Sequence, residues 1–465
     1  MQIEGQRFLV VGLARSGLAA ALFLHRRGGR VTVNDQAPRQ RLESWIEKLP
    51  AQVRLVLGGH PEEEFLSSDC IILSPGVPAS IPAIAAARDK DIPVLAEVEL
   101  AYRFLRGSVV GITGSNGKTT TTTLLGHLLS AASRPARVAG NVGNALIAAV
   151  EEDLESQAGP RCYVVELSSF QLETIEKLHC AVAVLLNVTP DHLDRYPSFE
   201  DYRQAKQRIF LNQGADDWAV LNWDDPQCRK AAEGLAGRVF PFSRRQSLPQ
   251  GACLSDNQNR ILLRRDEREE TLVEVDEVPL PGKHNLENVL AACAAGHLLG
   301  LSAPLMAQGL RSFKGVEHRL EPCGSLGGID FYNDTKATNV DSALKAIEAF
   351  PGRRLILIMG GLDKGGDFAS LREAVSLNVR KLLLIGAASS KIARQLEGSA
   401  DLEEVGDLER AVRRSLQVAQ EGDVVLLSPA CASFDQFENF AERGRLFKEY
   451  VAERLSAARQ GEAQA

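Results

Sequence analysis

The stretch of sequence that decides the fold reads Gly111-Ile112-Thr113-Gly114-Ser115-Asn116-Gly117-Lys118-Thr119-Thr120. It follows the apolar run Ser108-Val109-Val110, which has strand character, and residues 121–130 have helical spacing. A glycine-rich turn between a strand and a helix directs backbone N–H groups, and the positive end of the helix dipole, at phosphate oxygens. The stretch therefore predicts an α/β sheet with a nucleotide-phosphate loop at its edge.

The side chains of this loop have separate expected roles. Lys118 would reach the β- and γ-phosphates of ATP or GTP, and Thr119 would offer its hydroxyl to Mg²⁺. One position departs from the usual pattern, because Ile112 stands five residues before Gly117, where such loops carry glycine. We therefore interpret the stretch as a shortened variant of the loop. The alternative is a glycine-rich surface turn with a chance Gly-Lys-Thr.

Composition and charge exclude several classes of protein. A chain of 465 residues with ordinary shares of apolar and charged residues has room for roughly two to four domains. Its eight cysteines contain no Cys-x-x-Cys pair, which favours buried, reduced thiols over disulfides or zinc. The net charge of −7 argues against a protein that coats nucleic acid. With no signal pattern and no apolar run approaching about 18 residues, we expect a cytoplasmic protein without a membrane partner.

The N-terminal part of the chain alternates strand and helix signals. Strands are expected at 7–11, 31–35, 53–57 and 70–73, and a helix at 18–27. Such alternation is typical of a doubly wound α/β unit, which binds ligands beyond the carboxyl ends of its strands. We therefore look for ligand contacts in the loops that follow these strands.

Those loops contain several candidates. Ser16 and the amides around it are candidates for a pyrophosphate, and Asp35, at the end of the second strand, for a nucleoside. An NAD-dependent dehydrogenase is the rival hypothesis, but Ala14 takes the middle glycine position of Gly-x-Gly-x-x-Gly and leaves that motif incomplete. The loop Ser74-Pro75-Gly76-Val77-Pro78 is either a further ligand contact or a rigid turn.

Two more strands are expected to end near the phosphate loop. The strand at 162–166 ends in Glu166, where a nucleotide-hydrolysing sheet would hold a Mg²⁺ ligand. The apolar strand at 181–186 leads into Asn187-Val188-Thr189-Pro190-Asp191-His192-Leu193-Asp194. Because polar groups at successive strand ends meet at one edge, we expect Lys118, Glu166 and His192 to form a metal and phosphate site.

Later residues of the same region allow two interpretations each. Lys206 falls in an expected helix at 201–210, where a surface lysine would be unremarkable. Asn285 and Asn288 share one face of a helix that runs toward Leu299. They are candidates for a purine contact, although capping of that helix by Asn285 is the simpler account.

A further α/β region follows a boundary near Ser312-Phe313-Lys314-Gly315. Its strands are expected at 355–359, 381–385 and 423–427. Cationic residues lie in its loops at Arg319, Lys336 and Lys364. They indicate an anionic ligand, and a solvated rim is the alternative.

These motifs together resemble the Mur ligase family of ATP-dependent amide-forming ligases, and the resemblance covers essentially the whole chain. The segments that carry it are the phosphate loop at 113–119, Glu166-Leu167-Ser168-Ser169-Phe170-Gln171-Leu172, the segment 187–194, Glu317-His318-Arg319, Asp334-Thr335-Lys336-Ala337-Thr338-Asn339 and Ser428-Pro429-Ala430-Cys431-Ala432-Ser433-Phe434-Asp435-Gln436-Phe437. The resemblance implies three α/β domains: a Rossmann-like UDP-binding domain at 1–97, a P-loop-type ATP-binding domain at 98–314 and a Rossmann-like amino-acid-binding domain at 315–465.

The resemblance also implies roles for individual residues. Catalysis would involve Lys118, Glu166, His192 and Lys206. ATP would contact Gly114, Ser115, Asn116, Gly117, Lys118, Thr119, Thr120, Asn285, Arg319 and Asp334. The UDP-linked substrate would contact Ser16, Asp35, Asn141 and His192, and the incoming amino acid Lys336, Thr338, Lys364, Ser433 and Phe440. Mg²⁺ would be held by Thr119, Glu166, His192 and, once carbamylated, Lys206, because addition of CO₂ makes that lysine an anionic ligand.

The implied reaction is amide formation through an acyl phosphate, in cytoplasmic peptidoglycan precursor synthesis. Within the family, the segments 168–172 and 432–437 indicate D-glutamate as the incoming amino acid and UDP-N-acetylmuramoyl-L-alanine as the acceptor. The diaminopimelate-adding relatives would carry Asp-Asn-Pro-Arg, which this sequence lacks. Another amino-acid ligase of the same family remains the alternative, and we expect a monomer.

Overall fold

The computed structural model describes residues 1–192 and 195–462 of the chain. Leu193 and Asp194, which close one of the predicted motifs, lie outside the described residues. The strands of the described chain form three separate sheets, and each sheet is built from one continuous part of the sequence. The predicted α/β class with three sheets is therefore confirmed.

The first sheet is wholly parallel, in the order β3-β2-β1-β4-β5. Its strands are β1 (Arg7–Val11), β2 (Arg30–Asp35), β3 (Arg54–Leu57), β4 (Cys70–Leu73) and β5 (Val94–Ala96). Its helices are α1 (Arg15–Arg26), α2 (Arg39–Ile46), α3 (Glu62–Leu66), α4 (Pro82–Arg88) and α5 (Glu97–Tyr102). The strand order reverses between β1 and β4, and ligands of such sheets bind at that point beyond the carboxyl ends.

The second sheet has nine strands in the order β14-β13-β12-β11-β10-β9-β6-β8-β7. Its strands are β6 (Gly107–Thr113), β7 (Ala136–Gly140), β8 (Arg161–Glu166), β9 (Val182–Leu185), β10 (Trp218–Asn222), β11 (Arg238–Ser243), β12 (Gly251–Leu254), β13 (Arg260–Arg265) and β14 (Arg268–Glu274). Its helices are α6 (Lys118–Ala131), α7 (Leu146–Glu155), α8 (Ser169–Leu172), α9 (Phe199–Gln207), α10 (Pro226–Ala231), α11 (Lys283–Leu298) and α12 (Ala303–Ser312), with short 3₁₀ turns at Arg208–Phe210 and Val275–Glu277. Among its described strand pairs, β12 with β13 and β13 with β14 are antiparallel, and the others are parallel.

The third sheet has six strands in the order β15-β16-β20-β17-β18-β19. Its strands are β15 (Glu321–Leu326), β16 (Ile329–Asn333), β17 (Leu355–Gly360), β18 (Val379–Ile385), β19 (Asp401–Gly406) and β20 (Val424–Leu427). Its helices are α13 (Val340–Ile347), α14 (Arg372–Asn378), α15 (Ser389–Gln395), α16 (Leu408–Val418) and α17 (Phe440–Glu462), with a 3₁₀ turn at Phe368–Leu371. Here β15 pairs antiparallel with β16, and the remaining pairs are parallel.

The central strands read as continuous apolar runs because both of their faces are covered. All four residues of β9 and all six residues of β17 are buried. Parallel sheets with helices on both faces show this pattern, whereas a half-exposed strand alternates. The carboxyl ends of these strands therefore carry the polar residues to the sheet edges.

Contacts divide the chain into two compact units. The first contains residues 1–278 and 287–313, and with them the first two sheets. The second contains residues 279–286 and 314–465, and with them the third sheet. The domain boundaries expected after residues 97 and 314 stay predictions.

The eight cysteines are all free, and six of them are buried. This confirms the expectation of reduced, buried thiols. None of the helices in the described part of the chain combines the length and the hydrophobicity that a membrane crossing needs.

Candidate active site

The phosphate loop is shorter and more tightly packed than its sequence indicated. Strand β6 continues to Thr113 and α6 begins at Lys118, so four residues connect them. Gly117 has φ of 86°, a left-handed conformation, and a Cβ there would lie 2.1 Å from Oδ1 of Asn288. Ser115 is 5% exposed. The loop is therefore a packed turn that requires glycine, not a solvent-exposed surface turn.

Asn187, which follows β9, holds this loop in place. Its Oδ1 accepts a hydrogen bond from Asn116 N at 2.8 Å, and its Nδ2 donates to Asn116 O at 3.1 Å. One residue earlier in the loop, Ser115 Oγ donates to Thr189 O and accepts from Thr189 N, both at 2.9 Å. Asn187 lies within one of the sequence motifs, but no role was predicted for it. Its position directly after a buried strand was the available signal.

The amino groups of two lysines converge on one carbonyl oxygen of the loop. Lys118 Nζ and Lys206 Nζ each donate to Gly114 O at 2.8 Å, and Lys118 also donates to Ser115 O at 2.8 Å. Lys206 is 1% exposed, so it is not a surface lysine. Burial, and next the charge of Lys118, hold the pKa of Lys206 well below its usual value. The arrangement favours a neutral, nucleophilic amine at Lys206.

Glu166 ends β8 with a buried carboxylate that is only half satisfied. Its Oε1 accepts from Asn141 Nδ2 at 2.8 Å. Its Oε2 is buried and has no hydrogen-bond partner in the described part of the chain. The charges of Glu166 and Asp191 both raise the pKa of Lys206, so both carboxylates lie near that amine. A buried carboxylate oxygen without a donor fits a cation.

The predicted metal ligands do not form a complete protein site. Within residues 1–192 and 195–462, no three His, Cys, Asp or Glu side chains are arranged to hold a metal. Thr119 is 9% exposed in the first turn of α6, beside Thr120, and Glu166 lies at the end of the neighbouring strand. A cation at Glu166 would thus depend on phosphate oxygens or on a modified Lys206 for further ligands.

His192 lies in an aromatic cluster beside the phosphate loop. Its ring centroid is 4.9 Å from that of Phe170 and 6.3 Å from that of Tyr202. The hydroxyl of Tyr202 lies 3.0 Å from Ser115 Oγ. The backbone of His192 is left-handed, with φ of 55°. These contacts place the imidazole near the phosphate loop. A position near this loop was expected, because polar groups at successive strand ends meet at one edge of the sheet.

A cavity of about 450 Å³ gathers the residues expected to contact the UDP-linked substrate. Ser16, at the beginning of α1, Asp35 and Asn141 all line it. Its wall also includes Arg15, Gln36, His60, the loop 74–78 and Gln171. The cavity therefore extends from the carboxyl ends of the first sheet to the end of β8, where Asn141 contacts Glu166.

Two charged residues at this cavity already have backbone partners. Asp35 accepts from Leu13 N at 2.6 Å through Oδ2 and from Ala37 N at 2.8 Å through Oδ1. Arg15 donates to Gly143 O at 2.6 Å and to Asn141 O at 3.2 Å. Asp35 therefore shapes the loop after β1, and Arg15 ties α1 to the loop after β7.

In the second unit, the buried Asp334 pairs with the half-buried Arg319. Arg319 donates to Asp334 Oδ1 at 3.4 Å, and Ser428 Oγ donates to Oδ2 at 3.2 Å. Burial raises the pKa of Asp334 to about 6, whereas Arg319, Leu320 N–H and Ser428 oppose the shift. The carboxylate thereby orients the guanidinium of Arg319.

The loops that carry Lys336 and Ser433 are joined by a buried arginine that sequence reasoning missed. Arg443 donates to Oγ1 and O of Thr335 at 2.8 and 3.0 Å, and to Cys431 O at 3.2 Å. Lys336 Nζ lies 5.8 Å from the ring centroid of Phe440. The only sign of this role in the sequence was an arginine shortly after the polar loop that carries Ser433.

Of the remaining residues expected at the amino acid, Lys364 is exposed and Thr338 is half-buried. Leu362, two residues before Lys364, exchanges backbone hydrogen bonds with Ala432 at 2.9 and 3.0 Å. This pairing places the Lys364 loop beside Ser433, which is 2% exposed. The loop of Lys364 and the loop of Ser433 are therefore neighbours in the second unit.

Asn285 belongs to the second unit and does not cap a helix. It is the third residue of α11, and its Nδ2 donates to Pro281 O at 2.6 Å. The neighbouring His284 has its pKa lowered to about 3, first by burial and then by the charges of Arg319 and Lys345. The capping interpretation is therefore wrong, and Asn285 lies in the vicinity of Arg319.

Comparison with known proteins places all three parts of the chain in one family. Residues 6–96 match the family model described as Mur ligase MurD-like, N-terminal domain, residues 112–296 the Mur ligase middle domain, and residues 318–431 the Mur ligase, glutamate ligase domain.

Individual proteins match along nearly the whole chain. UDP-N-acetylmuramoylalanine--D-glutamate ligase of Acidobacterium capsulatum is 46% identical, covering 98% of both chains. The ligase of the same name from Solibacter usitatus is 45% identical, covering 97% of this chain and 98% of its own. MurF ligase from Thermotoga maritima, solved in complex with ADP, shares the fold with a TM-score of 0.61 at 19% identity, covering 97% of this chain and 96% of its own.

Proposed function

This chain belongs to the Mur ligase family, and on that premise we propose that it joins D-glutamate to UDP-N-acetylmuramoyl-L-alanine while ATP is converted to ADP and phosphate. The relatives at 45 and 46% identity carry the name of that ligase over nearly their full length. The observation that carries the proposal is the convergence of Lys118 and the buried Lys206 on Gly114 O, next to the half-satisfied carboxylate of Glu166.

ATP binds with its phosphates on the loop 114–120. The first turn of α6 presents backbone N–H groups and the positive end of its dipole there. Lys118 leaves the carbonyls of Gly114 and Ser115 and turns to the β- and γ-phosphates. We also assign Asn285, Arg319 and Asp334 of the second unit to the nucleotide, with Asn285 at the adenine.

The residues that would hold Mg²⁺ are Thr119, Glu166, His192 and, once it carries a carbamate, Lys206. The unpartnered Oε2 of Glu166 supports a cation at this point. When bound, the ion neutralises charge on the phosphate oxygens. The depressed pKa of Lys206 supports the carbamate, because only a neutral amine adds to CO₂. Nζ attacks the carbon, an N–H proton leaves to solvent, and an anionic carbamate replaces a cation that would repel the metal.

The reaction needs an activated carboxyl group, since a carboxylate does not react with an amine at neutral pH. An alanine carboxylate oxygen attacks the γ-phosphorus, the bond to the β-phosphate oxygen breaks, and ADP leaves. The amine of D-glutamate then attacks the acyl carbon of the acyl phosphate. The tetrahedral intermediate loses phosphate and a proton and becomes the amide. Lys118 supplies positive charge during phosphoryl transfer, which depends on positioning and charge neutralisation.

The substrates occupy separate parts of the chain. The UDP part of the acceptor binds in the cavity with Ser16 and Asp35, and its muramoyl-alanine part reaches Asn141 and His192. D-Glutamate is held by Lys336, Thr338, Lys364, Ser433 and Phe440. This assigns residues 1–97, 98–314 and 315–465 to acceptor, nucleotide and amino acid. The enzyme acts as a cytoplasmic monomer on small molecules, and light scattering should give a mass near 50.5 kDa.

Phosphate release with a panel of D- and L-amino acids tests the proposal. The assay contains ATP, Mg²⁺ and UDP-N-acetylmuramoyl-L-alanine, and mass spectrometry detects the amide. We expect rapid release with D-glutamate, and only background release without acceptor or with L-glutamate. Faster turnover with a different amino acid would assign the chain to another ligase of the family. Tight NADH binding without phosphate release would instead support the dehydrogenase alternative.

A further inference from the structure

His60 lines the substrate cavity but has no part in the function described so far. It follows β3 by three residues and lies at the same sheet edge as Asp35 and Gln36. Its Nδ1 is 2.6 Å from Asn34 Oδ1. The ring is thus fixed through one nitrogen, and the chemistry it offers to a ligand depends on the other.

The partners of Asn34 decide which nitrogen of His60 carries the proton. Asn34 is fully buried, and its Nδ2 donates to Val56 O at 2.8 Å and to Gly59 O at 2.7 Å. A reversed amide would place an oxygen against both carbonyls, so Oδ1 must be the atom that faces His60. His60 Nδ1 therefore donates to Asn34, and in the neutral ring Nε2 has a lone pair and no proton.

The surroundings keep this ring neutral and leave Nε2 available. Burial lowers the pKa of His60, against the opposing charge of Asp35. Among the described residues, Nε2 has no hydrogen-bond partner, and it is not one of the atoms sealed from solvent. Both carboxylate oxygens of Asp35 already accept backbone N–H groups. Nε2 of His60 is therefore an acceptor at this end of the cavity that has no donor in the described part of the chain.

We propose that His60 determines nucleoside specificity, with Nε2 accepting a hydrogen bond from a donor of the bound uridine diphosphate moiety. The inference rests on the proposed function, which supplies a UDP-linked substrate. Two donors of that moiety have the required chemistry, the N3–H of uracil and a ribose hydroxyl. Cytosine has an acceptor at N3, so a base contact would also discriminate against it. Nε2 of His60 and N3 of cytosine would face each other as two acceptors with no proton between them, which is unfavourable in a partly buried site.

Calorimetric titration of the full chain with UDP tests the proposal through two matched variants. His60→Asn keeps an amide donor near the Nδ1 position for Asn34 and removes Nε2, whereas His60→Gln offers an acceptor near the Nε2 position. We expect His60→Asn to weaken UDP binding about threefold to tenfold, and His60→Gln to weaken it less. His25→Asn, the same change in α1 away from the cavity, should leave UDP binding unchanged. ATP binding equal to that of the original chain shows that each variant is folded.

Modified nucleotides identify the donor. If the donor is on the base, the original chain should bind N3-methyl-UDP and CDP more weakly than UDP. If the donor is on the ribose, it should bind 2′-deoxy-UDP or 3′-deoxy-UDP more weakly than UDP. In either case, His60→Asn should bind the modified nucleotide and UDP equally well. The first pattern assigns the bond to the base and the second to the ribose, and both support the proposal. Equal UDP binding by the original chain and His60→Asn would overturn it. Failure of the original chain to bind UDP would contradict the proposed function itself.

Discussion

Lys118 is folded onto its own loop, where its ammonium donates to the carbonyls of Gly114 and Ser115. In the proposed reaction the same charge turns to the transferred phosphoryl group. We expect Lys118→Ala to lower the rate of amide formation by about a thousandfold or more. The measurement is amide produced per minute under saturating substrates, with circular dichroism to show the fold. Lys177→Ala, at an exposed position, is the control. Retained turnover in Lys118→Ala would mean that the loop does not bind phosphate.

Lys206 gives a second prediction at the residue scale, because its buried amine has a lowered pKa. After equilibration with ¹³C-bicarbonate at neutral pH, ¹³C NMR should show one carbamate carbon bound to the protein. Lys206→Arg should lack that signal, since a guanidinium does not form the carbamate. A spectrum without the signal, or with an equal signal in the variant, would contradict carbamylation of Lys206.

Glu97 was not a candidate from the sequence, yet its carboxyl group is buried at the beginning of α7. Its Oε1 accepts from Ile147 N at 2.7 Å, and Oε2 has no partner in the described chain. Burial raises the pKa of Glu97 to about 7, against the N–H groups of Ile147 and Leu146 and the charge of Arg15. Between the ordinary value of 4.5 and 7, the folded protein therefore binds more protons at this site than the unfolded chain.

It follows that Glu97 favours folding below its ordinary pKa, and that this contribution is lost as the pH rises through about 7. Glu97→Gln keeps an acceptor for Ile147 N–H and removes the titration. From pH about 5 to 8 the variant should therefore gain stability relative to the original chain, on the order of 3 kcal/mol. Thermal unfolding as a function of pH measures this. Glu63→Gln, on the exposed surface of α3, should show no such trend, and parallel pH profiles for Glu97→Gln and the original chain would contradict the assignment.

At the residue scale, the sequence identified groups whose chemistry is visible locally. Lys118 lies in a recognisable loop. Glu166 ends one apolar strand, and His192 follows another. The roles of Asn187, Glu97 and His60 depend on partners that are distant in sequence. The side chain of Asn187 accepts a hydrogen bond from a backbone N–H 71 residues away in the sequence, and that of Glu97 from a backbone N–H 50 residues away. Such pairings arise only from the fold.

At the scale of elements, the loop between β6 and α6 depends on the segment that follows β9. Asn187→Ala removes two hydrogen bonds to Asn116, so the loop should lose its fixed shape. We expect the KM for ATP to rise about thirtyfold, because two bonds of roughly 1 kcal/mol each are lost. Steady-state kinetics with varied ATP measure the effect.

Asn222 provides the matched control for this variant. Its side chain also makes two backbone hydrogen bonds at the same sheet edge, to Leu186 O and from Asp224 N, each 2.9 Å long. Asn222→Ala should lower the thermal stability without the same rise in the KM for ATP. An equal rise in both variants would show that general loosening of the sheet, not the clamp on Asn116, explains the effect.

The ends of elements were predicted less well than their existence. A helix was expected from residue 121, but α6 begins at Lys118. The threonine run at 119–123 disfavours helix by β-branching, whereas in the fold burial of residues 119–122 outweighs that propensity. Residues 214–278, which include β10 to β14, have a pattern of short strands and polar turns, from which no chemistry was predicted.

At the scale of the whole molecule, the required groups are divided between two units. The first holds the phosphate loop, Glu166 and the cavity with Ser16 and Asp35, and the second holds Arg319, Lys336 and Ser433. The three α/β sheets and the family followed from the sequence because apolar strands alternate with helices along it. The sequence did not predict that residues 279–286 belong to the second unit. Their contacts with residues 314–465, which are distant in sequence, decide that assignment.

In the proposed reaction, the phosphate loop converts the alanine carboxylate into an acyl phosphate before the amide forms. Transfer of ¹⁸O tests it most directly, with UDP-N-acetylmuramoyl-L-alanine labelled in both carboxylate oxygens and D-glutamate as the amine. If a carboxylate oxygen attacks the γ-phosphorus, that oxygen leaves with phosphate when the amine displaces it. Mass spectrometry should therefore find one ¹⁸O in the phosphate released for each amide formed. Amide accompanied by unlabelled phosphate would contradict the account.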